Sequence, residues 1–266
     1  MLVHRVFWSL AFLLVLLAAL RRWSWVGAVL RSPRVLAAFV ASAVLLSINW
    51  VTYIWAVGNG HVVDASLGYF MTPLVNVALG YTVLHERLRR QQWIALALAT
   101  LGVLWLTLQA GQLPWIALVL ASSFGAYGLL RKIATLGALE GLTLETLVLL
   151  PAAIAGLWYL QASGTATFPT PDLSTNLWLL GVGPITAVPL LLFAAGARRL
   201  SLTTLGLLQY VSPTLQFLIG VWVFNEPFSP LRLIGFGLIW AALVLYSIDS
   251  LRNSRRAAQP VLTPSV

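Results

Sequence analysis

Nine apolar stretches, roughly 3–20, 34–57, 66–84, 92–109, 113–131, 143–161, 175–197, 203–224 and 231–248, account for most of the 266 residues. As a helix, a run of about 20 apolar residues matches the hydrocarbon thickness of a bilayer. Lipid offers the backbone no hydrogen-bond partners, so a spanning segment must be an α-helix or part of a closed barrel. The period-2 alternation of a membrane barrel is missing from these runs. Composition agrees: 60% of residues are hydrophobic and only 9% charged, where soluble domains carry about 25% charged residues. The chain reads as an all-α integral membrane protein with nine transmembrane helices.

The net charge of +9 would suit a nucleic-acid partner, but its distribution argues otherwise. Fourteen of the sixteen Lys and Arg residues fall in alternate loops: Arg21, Arg22, Arg31 and Arg34; Arg87, Arg89 and Arg90; Arg131 and Lys132; Arg198 and Arg199; Arg252, Arg255 and Arg256. Only Arg5 and Arg232 fall on the other side. By the positive-inside rule the basic side is cytoplasmic, and so is the C-terminal tail. The charge is topological, and nucleic acid is not an expected partner. The first apolar run lacks a small-residue cleavage site and reads as a span, not a signal peptide. With no cysteine, disulfides, thiolate metal sites and cysteine nucleophiles are excluded together.

One stretch occurs twice. Tyr69 to Glu86, YFMTPLVNVALGYTVLHE, reappears 140 residues later as Gln209 to Glu226, QYVSPTLQFLIGVWVFNE. Pro73, Gly80 and Glu86 fall on Pro213, Gly220 and Glu226; Tyr69, Thr72 and Asn76 fall on Gln209, Ser212 and Gln216. Positions i, i+3 and i+7 share a helix face, so each copy is an apolar helix with one polar stripe. The copies lie in the third and eighth spans, an odd separation that makes them run in opposite directions. That is the signature of an inverted-topology repeat. Residues 1–110 then form a first repeat of four helices and 113–248 a second of five, with 249–266 a disordered cytoplasmic tail.

Several strings resemble a known family. NWVTYIWAVGNGH (49–61), ASLGYFMTPLVNVALG (65–80), YGLLRK (127–132), GLTLETLVLLP (141–151) and TLGLLQYVSPT (204–214) look like the RarD branch of the EamA-type permeases, in the drug/metabolite transporter superfamily. The resemblance implies ten helices in two inverted halves of five, a central cavity, and export or exchange of small molecules across a bacterial inner membrane. Family members carry a helix before the point matching His4 and Arg5, so the first repeat reads as one helix short. Either translation starts further upstream, or the chain is a truncated form whose transport is in doubt.

The polar stripes are the candidate substrate pathway: Tyr69, Thr72 and Asn76 on one helix; Gln209, Tyr210, Ser212 and Gln216 on its counterpart. In lipid such side chains cost free energy unless they meet a partner or water. Their bland alternative is hydrogen-bonded glue between helices. Asn49, Trp50 and Tyr53 add an aromatic and amide face suited to stacking on a flat or cationic substrate, and Tyr127 joins the set. Trp8, Trp23, Trp25 and Trp93 lie near span ends and suit an interfacial belt. Pro73 and Pro213 are candidate hinges, each removing a backbone donor and displacing a carbonyl. Gly80 and Gly220 suit close helix packing.

Glu145 is the most deeply placed acid. It reads as a proton-coupling site, as a first-turn acid favoured by the helix dipole, or as a partner of Arg131 or Lys132. Glu86 and Glu226 lie beside helix starts and suit capping; His61 and Asp64 read as solvated loop residues. His85-Glu86 is not followed by a zinc-binding histidine, and neither a phosphate-binding loop nor a nucleophile elbow occurs. No cofactor or metal is expected and no catalytic residue stands out. The reading is a secondary, ATP-independent permease working by alternating access in the bacterial inner membrane, not an enzyme. A non-transporting remnant or accessory subunit is the alternative, and an enzyme acting on lipid-linked substrates a more distant one. The expected partners are the bilayer and a small organic substrate, with a homodimer open as the assembly.

Overall fold

The computed structural model describes residues 2–111, 114–164, 172–222 and 230–257, and all regular structure among them is α-helical. The helices are α1 (Leu2–Ala19), α2 (Trp25–Leu30), α3 (Pro33–Gly58), α4 (Val62–Thr82), α5 (Arg90–Ala110), α6 (Trp115–Ile133), α7 (Ala138–Ala162), α8 (Leu173–Arg199), α9 (Leu202–Gln209), α10 (Val211–Trp222) and α11 (Pro230–Ala257).

Among the described residues, seven helices are long and apolar enough to cross a membrane: α1, α3, α5, α6, α7, α8 and α11. The sequence suggested nine. The two missing from the set are the two that carry the repeat, and each falls short for a different reason. In α4, 21 residues long, Asp64, Tyr69, Thr72 and Asn76 dilute the apolar character. The eighth expected span is broken at Tyr210 into α9 of 8 residues and α10 of 12, neither long enough alone.

The chain forms two compact units: Met1–Asn59 with Ser123–Leu202, and Gly60–Ser122 with Thr203–Val266. Each unit draws on both halves of the sequence, and α6 divides between them at Ser122 and Ser123. In the first unit α1 packs on α7 and α8, and α3 on α7. Leu13, Leu17, Leu46, Tyr127, Leu142 and Ala187 form its core. Helix α8 meets α1 at Gly183, where an added Cβ would collide with the backbone of Trp8. At the same place the Ser9 hydroxyl donates to the Gly183 carbonyl at 3.2 Å. In the second unit α5 lies against α11 and α4. Ala95, Ala99, Val103, Ile239 and Ala242 fill that contact, and small side chains let membrane helices approach closely.

Helix ends explain several departures from the sequence reading. Glu86 caps, but not the helix that follows it. Its Oε2 accepts from the backbone N–H of Thr203 at 2.9 Å and the Thr203 hydroxyl at 2.8 Å, at the first turn of α9. Gly80 leaves room for that carboxylate: a Cβ there would sit 2.7 Å from Glu86 Oε2. The same Cβ would lie 3.2 Å from the Thr203 hydroxyl, so the glycine also lets α9 approach α4. Helix α11 continues to Ala257, so residues 249–257 of the expected tail are helical, and Asp249 accepts from Arg89 at 2.8 Å. Asp172 caps α8 through Ser174 and Thr175, whose hydrogen bonds, those of Thr175 foremost, hold its carboxyl well below the usual carboxylate range. His61 and Asp64 open α4 and lie 3.3 Å apart. Trp23 and Trp93 are exposed, as a belt requires, whereas Trp25 packs into the first unit. Glu226 lies outside the described residues.

Candidate functional site

The candidate pathway residues divide between the two units. Tyr69, Thr72, Asn76, Gln209, Tyr210, Ser212 and Gln216 belong to the second; Asn49, Trp50, Tyr53, Tyr127 and Glu145 belong to the first.

In the second unit the repeat brings α4 against α9. Gly206 makes this approach close, since a Cβ there would lie 2.8 Å from the Pro73 carbonyl oxygen and 2.9 Å from Asn76 Cβ. Across that contact the Asn76 amide donates to Gln209 Oε1 at 2.6 Å. Asn76 is fully buried, and its own carbonyl oxygen accepts no hydrogen bond from the described residues. Tyr210, also fully buried, has a hydroxyl with no partner among the described residues. A buried polar atom left unpaired costs about 1–3 kcal/mol, so two of them beside a helix break call for a physical account. Thr72 is satisfied within α4 by the Gly68 carbonyl at 2.8 Å. Tyr69 and Ser212 are exposed, and the side chain of Gln216 lies outside what the structure describes.

The two prolines, equivalent in the repeat, behave differently. Pro73 sits inside a continuous α4. Pro213 follows the interruption at Tyr210, where the Tyr210 N–H turns to the Leu207 carbonyl at 3.2 Å. Proline cannot donate to the carbonyl four residues back, which for Pro213 is that of Gln209, the last residue of α9.

In the first unit Glu145 is the deeply buried acid and the partner of Arg131, but not a first-turn acid. Helix α7 begins at Ala138, so Glu145 lies two turns inside and Glu140 is the first-turn acid, paired with Arg22 at 3.0 Å. Glu145 is fully buried. Its Oε1 accepts from the Ser42 hydroxyl at 2.6 Å and lies 3.5 Å from Arg131 Nη1. Its Oε2 accepts from Tyr127 at 3.4 Å. Arg131 donates to the Ala138 carbonyl at 3.0 Å and lies over the Phe39 ring at 5.6 Å. Tyr127 is therefore a core residue, stacked on Phe193 with ring centroids 5.9 Å apart. Ser42 and Phe39 have no signal in the sequence, because their partners lie about a hundred residues away. Asn49, half-buried on α3, donates to the Ser123 hydroxyl at 3.2 Å. Arg5 lies 5.1 Å over the Trp50 ring, so a cation already occupies one aromatic face. Tyr53 is half-buried on α3. Among the described residues no group of three His, Cys, Asp or Glu side chains could hold a metal.

Helices of this length and composition, with few charged residues inside them, define a multi-pass helical membrane protein. The family model described as the EamA-like transporter family matches residues 2–108 and 113–248, and the chain belongs to that family. It is 48% identical to Protein RarD of Streptomyces exfoliatus over 96% of this chain and 81% of that one. It is 46% identical to an uncharacterized transporter of Pseudomonas aeruginosa over 97% of this chain and 87% of that one. A solved crystal structure superposes with a TM-score of 0.65 over 97% of this chain and 89% of its own, at 20% identity. That likeness concerns the fold alone. The resemblance read from the sequence strings is thus borne out at the level of a RarD-type member of the family.

Proposed function

We propose that the protein is a secondary transporter that moves small organic molecules across the bacterial inner membrane by alternating access between two inverted repeats. The observation that carries this reading is the pair of unpartnered polar groups, Asn76 Oδ1 and the Tyr210 hydroxyl, buried beside the break between α9 and α10. Interrupted helices at membrane depth are tolerated where they are buried in protein or line a cavity, and in transporters they form substrate sites. Nine spans, with α4 and α9–α10 as the third and eighth, follow from this reading. So do a cytoplasmic C-terminus and hinges at Pro73 and Pro213. The match of the family in two segments, 2–108 and 113–248, supports the division into repeats. Asn49, Trp50, Tyr53, Tyr69 and Gln216 complete the proposed pathway, with Thr72 and Ser212 lining it.

The test is flux in proteoliposomes. Asn76→Leu and Gln209→Leu are expected each to reduce uptake of an amine, amino-acid and drug-like panel at least tenfold, with insertion and elution as a homogeneous species unchanged. Wild-type flux in both variants sinks the assignment of the pathway to α4 and α9.

Glu145 is the candidate for ion coupling, but its pairing with Arg131 supports a structural role. Any pH dependence of flux is therefore expected to survive Glu145→Gln. Loss of that dependence, with the protein still folded and transporting, would make Glu145 the coupling acid instead.

A further inference from the structure

One end of the first unit carries more positive charge than its own fold uses. Eight basic side chains gather there, and they divide into two sets. Arg22 pairs with Glu140 at 3.0 Å, and Arg131 with Glu145 and the α7 carbonyls. Lys132 donates to the Ala197 and Leu200 carbonyls, and Arg198 to those of Ala134 and Leu136. These four tie together the ends of α1, α6, α7 and α8. Arg21, Arg31, Arg34 and Arg199 are exposed, and their side chains meet no carboxylate or carbonyl among the described residues.

Three of this second set lie within the 14 residues from Arg21 to Arg34, around the short helix α2. That segment has two faces. Trp25 and Val29 turn inward and pack with Phe39 and Leu144. Leu20 and Trp23 stand out, 53% and 45% exposed, with Val26 beside them. Arg21 has φ 52° and ends α1 with its N–H on the Ala18 carbonyl, while the Arg22 N–H reaches the Leu17 carbonyl. This is a Schellman turn, whose left-handed position glycine occupies without strain. An arginine there keeps its charge at a conformational cost.

We propose that Arg21, Arg31 and Arg34 form a binding platform for the phosphate headgroups of anionic phospholipid, with Leu20, Trp23 and Val26 seated at the boundary between headgroups and acyl chains. Guanidinium groups match phosphate oxygens in paired geometry. Tryptophan and aliphatic side chains belong at that depth. The loop joins the adjacent ends of two spanning helices, α1 and α3, so the bilayer surface is the phase it meets. The platform rests on the membrane placement of these helices and not on the proposed transport.

The experiment is thermal stability of the purified full chain in detergent, titrated with phosphatidylglycerol or with phosphatidylcholine. The wild type is expected to gain stability from phosphatidylglycerol at concentrations well below those of phosphatidylcholine. Each arginine near an anionic surface contributes about fivefold in affinity, so Arg21→Gln/Arg31→Gln/Arg34→Gln is expected to need at least tenfold more phosphatidylglycerol. Arg21→Lys/Arg31→Lys/Arg34→Lys should keep most of the preference. If the glutamine triple fails to give a homogeneous species, Arg31→Gln and Arg34→Gln are titrated singly, each expected to shift the midpoint by about fivefold. Equal response of the wild type to both lipids overturns the proposal, and so does an undiminished preference in the glutamine variants. Glycerol phosphate in solution reproducing the effect also overturns it, since the ligand would then be a free phosphate and not a lipid.

Discussion

Arg131→Met is expected to destabilise the protein by about 3–5 kcal/mol, because it strands the Glu145 carboxylate in the interior without its cation. Both side chains are essentially inaccessible to solvent. Ser42 and Tyr127 donate to the carboxylate, but neutral donors cannot replace the charge that balances it. The pair itself is not expected to be a source of stability, since removing two charges from water costs about as much as their attraction returns. The double variant Arg131→Met/Glu145→Met should therefore recover most of the loss. Thermal unfolding in detergent, followed by intrinsic tryptophan fluorescence, reads both effects. A single variant as stable as the wild type, or a double variant no better than the single, would contradict the account of a charge-balanced cluster joining α3, α6 and α7.

Gly183→Ala is expected to be strongly destabilising, far more so than Gly181→Ala on the same helix. The new Cβ would meet the carbonyl group of Trp8, part of a helix backbone that cannot rotate out of the way. Helices α1 and α8 would have to separate, with overpacking costs of about 1–3 kcal/mol and loss of the hydrogen bond from Ser9 to Gly183. Gly181→Ala, two residues earlier, is the matched control. Its Cβ would find only Ile185 Cδ1, at 3.9 Å, so the gain in helix propensity should leave it neutral or slightly stabilising. The difference in melting temperature between the two variants tests the packing directly. Equal melting temperatures would mean that α1 and α8 are not in the contact described.

The paired glycines show where reading the sequence stops. Both lie in the same apolar helix, and nothing local distinguishes them; only the neighbour brought by the fold does. Glu145 makes the same point. Its depth in an apolar run is legible, but the helix starts at Ala138 and not at 143, so the first-turn role open to Glu145 belongs to Glu140. Among its three partners, Arg131 was anticipated, whereas Ser42 comes from a segment 103 residues away. Glu86 was correctly read as a cap, yet it caps α9 across 117 residues and not the adjacent α5.

The sequence by itself determined the helical membrane class, most helix positions, the clustering of basic residues in alternate loops, the repeat that marks α4 and α9–α10, and the family. Each of these depends on properties summed over a segment: apolar length against bilayer thickness, charge in loops, and a pattern written twice. The tertiary structure decided that equivalent prolines leave α4 continuous but stand beside a break at Tyr210. It also paired Asn76 with Gln209, enclosed Glu145 with Arg131, and sorted the arginines into those holding helix ends and those left at the surface. These depend on which atoms meet across a hundred or more residues, and hydrogen bonds and buried ion pairs change by kilocalories over an ångström. No local pattern carries that distance.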